Sequence, residues 1–321
     1  MAILSTISNT VNCAVSGLIG GGSEGCDFEF ENMAGGLVLL FDPSFTVPAG
    51  TDFNRAYIRT QQKAGNIKIF NRIYDIEWVP GENTKETADG SGLSNVTRRA
   101  IYGINVMFNK GLYSQKQFSS VSFNNHWKVA FMDGAGNILW SETSAGDFTG
   151  FNTSHVYAMP FNLKNGAVSQ KTGLEIEFSN SIQINDRLAW TPGDDLDFGP
   201  DDIDGVNDVV LSIPTAPSDT DTTFALKSVR KKDGGYNSGV SGTDLRITKN
   251  GATLTETTDY TIAADAANKS YIVTLVAAAS TGDVYTVEYY DTSNSSGVIT
   301  LGTAPNDKVY QSNTVSTTVV A

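Results

Sequence analysis

Asp244–Tyr290 reads DLRITKNGATLTETTDYTIAADAANKSYIVTLVAAASTGDVYTVEYY, and its turn residues decide the fold class. Asn250-Gly251 stands between two β-rich runs. Both residues tolerate positive φ, which a type I′ hairpin turn requires. The runs Asp244–Lys249, Asp259–Ala263, Ser270–Val276 and Asp283–Tyr290 follow one another with turn residues between them. Such short, regularly spaced runs are the pattern of an all-β sandwich. Residues 209–321 are therefore expected to form a small β-sandwich.

Outward from that module the chain has 321 residues, 40% of them hydrophobic and only 18% charged, with 31 glycines. This length suffices for about two domains with buried cores, and the composition is that of a globular chain. The net charge of −13 is concentrated. Residues 191–208 hold seven Asp and no basic residue, whereas the segments on either side are each within three charges of neutrality. That stretch is expected to be an acidic linker. Gripping a phosphate backbone needs clustered Lys and Arg, and the single cluster is Arg230-Lys231-Lys232. Sequence-specific nucleic-acid binding is not expected.

Cys13 and Cys26 are too few for a disulfide scaffold. Their spacing permits pairing, and two thiols fit a protein made in a cytosol. Met1–Gly22 lacks a positive n-region and no run approaches 18 apolar residues. Neither a signal peptide nor a membrane anchor is expected.

Residues 1–24 read as an extended arm and 25–190 as a β domain. Asp27–Glu31 alternates as a half-buried strand does, and Gly36–Phe41 is a short apolar run ended by Asp42-Pro43. One helix is expected over Phe53–Ala64. Thr51 or Asp52 would cap it, Phe53, Ala56, Tyr57 and Ala64 would form its apolar stripe, and Gly65 would end it. A second helical turn or two is expected within Lys110–Ser120. Strands follow at Ile67–Phe70, Ile73–Val79, Val96–Asn109, Asn125–Phe131, Gly136–Trp140, Gly173–Phe178 and Gln183–Ala189. About eight or nine strands and one flanking helix are expected here. Between two of the strands, Pro80–Asn95 is almost wholly polar, and loops of that length are functional or disordered.

No catalytic, cofactor-binding or metal residue is assigned, and no cofactor. The two histidines, His126 and His155, stand in no nucleophile context. Glu175 and Glu177 lie two apart on one strand. They suit either a glycosidase carboxylate pair or, far more simply, the solvent side of a sheet. The Asp194–Asp208 belt offers hard oxygen ligands for Ca²⁺ but does not complete an EF-hand loop, whose first position would fall on Pro200. A solvated acidic linker is the plainer reading.

The C-terminal pattern of Asn250-Gly251, Asp259-Tyr260-Thr261 and Gly282-Asp283 resembles the Ig-like decorations of phage structural proteins. Residues 1–190 look like tail-tube-type proteins of phages infecting Bacteroidetes-like hosts. This likeness rests on Asp52–Ile58, Gly81-Glu82-Asn83-Thr84 with Glu86-Thr87, Phe108–Tyr113, and Val129–Asp133 with Gly136–Leu139. The resemblance implies a non-enzymatic virion protein assembled in the host cytoplasm. Its β-sandwich would build hexameric rings, Phe53–Ala64 would be the flanking helix, and Pro80–Asn95 would join one ring to the next. The implied partners are copies of itself and other tail or head proteins, with DNA only as passing cargo. A capsid decoration or head-fibre protein and a carbohydrate-binding surface adhesin are the alternatives.

Overall fold

Leu37–Phe41, the strand LVLLF, is buried at every position. A strand achieves this only when both faces of its sheet are covered, and the architecture follows from that demand. The structure is a computed structural model. It describes residues 33–79, 81, 84–87, 94–98, 102–108, 110–122, 127–161, 172–179, 183, 187–304 and 306–321. The expected arm 1–24, the strand Asp27–Glu31, Cys13, Cys26 and His126 lie outside them. The chain divides into two units, Met1–Ile58 with Gly65–Asp204, and Arg59–Ala64 with Gly205–Ala321.

In the first unit the strands are β1 (Leu37–Phe41), β2 (Ile67–Asn71), β3 (Ile73–Val79), β4 (Thr84–Thr87), β5 (Ser94–Arg98), β6 (Gly103–Phe108), β7 (Lys128–Met132), β8 (Ile138–Glu142), β9 (Phe148–Thr149), β10 (Phe151–Ala158), β11 (Thr172–Phe178) and β12 (Leu188–Thr191). The helices are α1 (Arg55–Lys63) and α2 (Leu112–Val121). The all-β expectation holds; α1 is the flanking helix, α2 extends the second helical turn or two expected within Lys110–Ser120, and there are more strands than expected. β1 pairs with β2 and β7, and β8 and β12 continue that sheet. Leu37, Leu39 and Phe41 face a core with Ile69, Met132 and Trp140, closed by Phe53, Ile58, Phe198 and Ile203. Val38 and Leu40 face the other way, onto a core with Val106, Phe108, Leu174, Ile176 and, from α2, Phe118 and Val121.

The far side of that second core is a four-stranded layer in the order β10-β11-β6-β3. β10 links the two layers. Phe151 and Asn152 pair with Val129 and Lys128 of β7, and from Thr153 onward the strand pairs with β11. Gly150 sits at the crossing, where a Cβ would lie 2.5 Å from the backbone N of Val129.

Helix α1 departs from expectation. It begins at Arg55, and its cap is Asn54, whose Oδ1 accepts the N–H of Tyr57 at 2.8 Å. Thr51 instead donates to the Pro48 carbonyl, and Asp52 accepts from the Asn54 side chain. Ala56 and Ala64 are exposed, while Arg55, Ile58, Arg59 and Gln62 are buried. Those four follow i, i+3, i+4, i+7 spacing and so share one face. Gly65, at φ +80°, ends the helix as expected.

The stretch expected as a solvated linker, 191–208, is anchored by the burial of Phe198 and Ile203 in the first core. Its carboxylates act locally. Asp197 accepts the N–H of Arg55 at 2.9 Å, where the positive end of a helix dipole favours an anion. Asp204 accepts from the Asn71 side chain at 2.7 Å. The strand expected over Gln183–Ala189 forms instead as β12.

The second unit holds β13 (Asn207–Ser212), β14 (Thr223–Arg230), β15 (Leu245–Lys249), β16 (Ala252–Thr253), β17 (Tyr260–Asp265), β18 (Ser270–Leu275), β19 (Val284–Tyr289), β20 (Val298–Leu301), β21 (Lys308–Ser312) and β22 (Val315–Thr318). A six-stranded sheet, β17-β18-β14-β13-β21-β20, and a four-stranded sheet, β16-β15-β19-β22, share one core. This is a β-sandwich, antiparallel except for the β13–β21 pair. Its buried tyrosines keep their hydroxyls bonded. Tyr260 donates to the Gly242 carbonyl at 2.9 Å and Tyr271 to that of Asn237 at 2.7 Å. Burial pushes the Tyr260 hydroxyl up to about 12. The Asn250-Gly251 hairpin forms as the sequence predicts, at φ +53° and +85°. Asp283 of the next strand ion-pairs with Lys249 at 2.7 Å.

Two outcomes follow from this packing. Gly150→Ala forces β10 away from β7 and lowers the stability of the first unit by about 1–3 kcal/mol in urea titration. Hydrogen bonds from Lys249, the Ser280 N–H and Asn250 hold the Asp283 carboxyl down at about 2. A depressed carboxyl stabilises above its unfolded value, near 4, and that contribution is lost as pH falls through about 2. Asp283→Asn is therefore less stable than wild type at neutral pH, and the difference vanishes near pH 2 in thermal melts.

Candidate functional surface

The layer β10-β11-β6-β3 has one face in the core and one exposed, and two bulges set what the exposed face carries. In β10 the pairing with β11 shifts between Thr153 and His155. Thr153 and Val156 both point inward and are buried. Ser154 and His155 between them therefore both point outward, side by side, as a bulge permits. In β3 the register shifts between Ile73 and Asp75, which turns Asp75 outward with Glu77.

Directly opposed residues in antiparallel strands share a face. Glu77 opposes Asn105, Asn105 opposes Glu175, and Glu175 opposes Tyr157. These four form one row across the sheet. Glu177 opposes His155 in the next row. The face thus gathers Asp75, Glu77, Glu175 and Glu177, while the four strands contain no lysine or arginine at all. Glu77 and Glu175 are two strands apart in one row, about 10 Å by strand spacing, so their repulsion is only partly screened.

At the β10 end of this face stands His155, 22% exposed at its side chain. Its Nε2 is 3.9 Å from Glu175 Oε1 and its Nδ1 is 3.7 Å from Glu177 Oε2, with those glutamates 55% and 40% exposed. The imidazole stacks near the Tyr157 ring, centroids 4.2 Å apart. Ser154 Oγ donates to Glu177 Oε1 at 2.9 Å and lies 3.4 Å from His155 Nδ1. A nucleophilic relay needs the hydroxyl to donate to the imidazole; here it donates to a carboxylate. A cleft of about 470 Å³ opens beside the bulge, lined by Pro43, Lys128, Asn152, Thr153, Ser154 and Ser179. Burial pushes the Lys128 ammonium down, and Asp42 opposes that shift.

Glu175 and Glu177 do lie on the solvent side of a sheet. The structure brings them to His155, which sequence reasoning had left without context because β10 was not foreseen. Across the 191–208 belt the carboxylates disperse to separate partners. Asp202 accepts from the Gly199 N–H and Asp208 from Gln311. Among the described residues no group of three or more His, Cys, Asp or Glu is placed to hold a metal ion. No helix among them is long and apolar enough to cross a membrane.

The layer ends at β3, which pairs with β6 and with no other strand among the described residues. Trp78 of that strand is 58% exposed, although it opposes the buried Ile104 and so lies on the core-facing side. Beyond β3 the chain continues into the two-stranded ribbon β4–β5, which joins no other sheet among the described residues. β4 and the first two residues of β5 fall in the stretch expected as the loop Pro80–Asn95. Residues 80, 82, 83 and 88–93 of it lie outside the described ones.

Neutralising the face is expected to stabilise the first unit. Glu77→Gln combined with Glu175→Gln raises its unfolding midpoint in dilute buffer, and the gain shrinks in molar salt, as like-charge repulsion requires. No protein-family model and no curated protein matches this chain.

Proposed function

We propose that this chain is a non-enzymatic virion protein of a tailed bacteriophage, the major tail tube protein, whose first unit assembles into stacked rings around a DNA-conducting channel. The observation that carries this reading is the exposed face of β10-β11-β6-β3, which has four carboxylates, no lysine or arginine on its strands, and an edge strand that exposes Trp78.

An edge strand with an uncovered apolar flank templates pairing with another chain unless something blocks it. Setting β3 of one copy beside β10 of the next would continue the sheet, cover Trp78 and close a ring by a head-to-tail contact. The acidic face would then line the channel. DNA is held by counterion release at Lys and Arg, so a wall without them lets the duplex slide. The two flanking carboxylates offset any charge on His155. Among the described residues the ribbon β4–β5 pairs only with itself, and it is the element suited to reach a neighbouring ring.

The ribbon gives a direct test. Replacing residues 82–100 by an Asn-Gly turn is expected to leave a folded subunit that sediments as single rings or smaller species, whereas wild type sediments as long polymers. Long polymers from the shortened chain would remove the ribbon from ring stacking. A trimeric wild type that binds preformed capsids would replace the tube reading with a decoration protein.

A further inference from the structure

Asn-Gly is the dipeptide most prone to deamidate. The backbone nitrogen of the glycine attacks the asparagine Cγ, the Cγ–Nδ2 bond breaks, and the side-chain nitrogen leaves as ammonia. The resulting succinimide takes up water to give aspartate or isoaspartate. Little in the residue after Asn250 opposes this, because Gly251 has no side chain to hinder the approach. The hairpin that holds the pair does oppose it.

Both ends of the Asn250 amide are bonded to the neighbouring strand. Its Oδ1 accepts the N–H of Val284 at 2.8 Å, and its Nδ2 donates to Asp283 Oδ1 at 2.9 Å. The Asn250 backbone N–H donates to the Val284 carbonyl at 2.8 Å. Asp283 is itself fixed, by Lys249 at 2.7 Å and by the Ser280 N–H at 2.9 Å. Attack by the Gly251 nitrogen requires the amide to swing away from β19 and over its own backbone, which breaks both side-chain bonds. Asp283 remains ionised at neutral pH, so it has no proton to offer a departing nitrogen.

We propose that Asn250-Gly251 is a deamidation site kept closed by Asp283. Reaction there would replace a hydrogen-bond donor with a carboxylate facing Asp283, so the first event would also weaken the contact with Asp283 and Val284 that prevented it. The inference concerns the second unit alone and does not depend on the virion reading.

Peptide mapping by mass spectrometry reads the outcome as the one-dalton gain and the isoaspartyl product at residue 250. The full chain is incubated at mildly alkaline pH, folded and in concentrated urea. Folded wild type is expected to react at least about tenfold more slowly than the urea-unfolded chain, because both bonds must open first. Asp283→Ala, checked as folded by circular dichroism, is expected to react several-fold faster than wild type. Lys249→Ala removes the same ion pair but leaves the amide bonded, and is expected to stay slow. Equal rates for folded and unfolded wild type would overturn the proposal. So would a Lys249→Ala rate as fast as that of Asp283→Ala, which would indicate general loosening. If Asp283→Ala does not fold, the wild-type ratio decides.

Discussion

Everything in the first unit depends on burying both faces of the sheet built on β1 and β7. Leu37, Leu39 and Phe41 on one side and Val38 and Leu40 on the other are all inaccessible to water. Each such side chain contributes roughly 1.5–3 kcal/mol when removed from solvent. One covering comes from Phe53, Ile58, Phe198 and Ile203, which is why the acidic stretch after Trp190 is held in place. The other covering is the β10-β11-β6-β3 layer with α2. A layer used as a cover has one face committed to the core. Its other face is left to carry charge.

Bulges turn that spare face into a particular surface. An unbroken period of two in β10 would have placed Ser154 and His155 on opposite sides. The extra residue puts both outward, against Glu175 and Glu177. The shift in β3 does the same for Asp75. The face is therefore a product of local backbone irregularity imposed on regular strands. Its four carboxylates repel one another, with no lysine or arginine on these strands to offset them.

The regular parts of the structure were legible in the sequence. LVLLF announced a strand buried on both sides, and the alternation of Ile104, Val106 and Phe108 survived intact. Asn250-Gly251 gave its hairpin because no other turn type uses two consecutive positive φ values so readily. The irregular parts were hidden for a physical reason. In Phe151–Ala158 the bulge throws Val156 out of phase with Phe151 and Thr153, so no period-2 signal remains, and with β10 unseen His155 had no neighbours. Helix α1 hid its buried face because that face is Arg55, Ile58, Arg59 and Gln62, while the alanines that looked apolar face water. Burial of Arg59 is supported by Asp307, at 3.2 Å within the second unit, a partner 248 residues away that no local pattern reveals. The belt after Trp190 was read by its charge, whereas its two apolar residues decided where it lies.

An acidic, lysine-free face that ends, among the described residues, at the edge strand β3 underlies the proposal that copies of this chain close into a ring around that face. Electron microscopy of the purified full-length protein over a concentration series tests this most directly. Hollow rings that stack into tubes as concentration rises are expected. Isolated monomers at every concentration, or compact particles without a central channel, would contradict it.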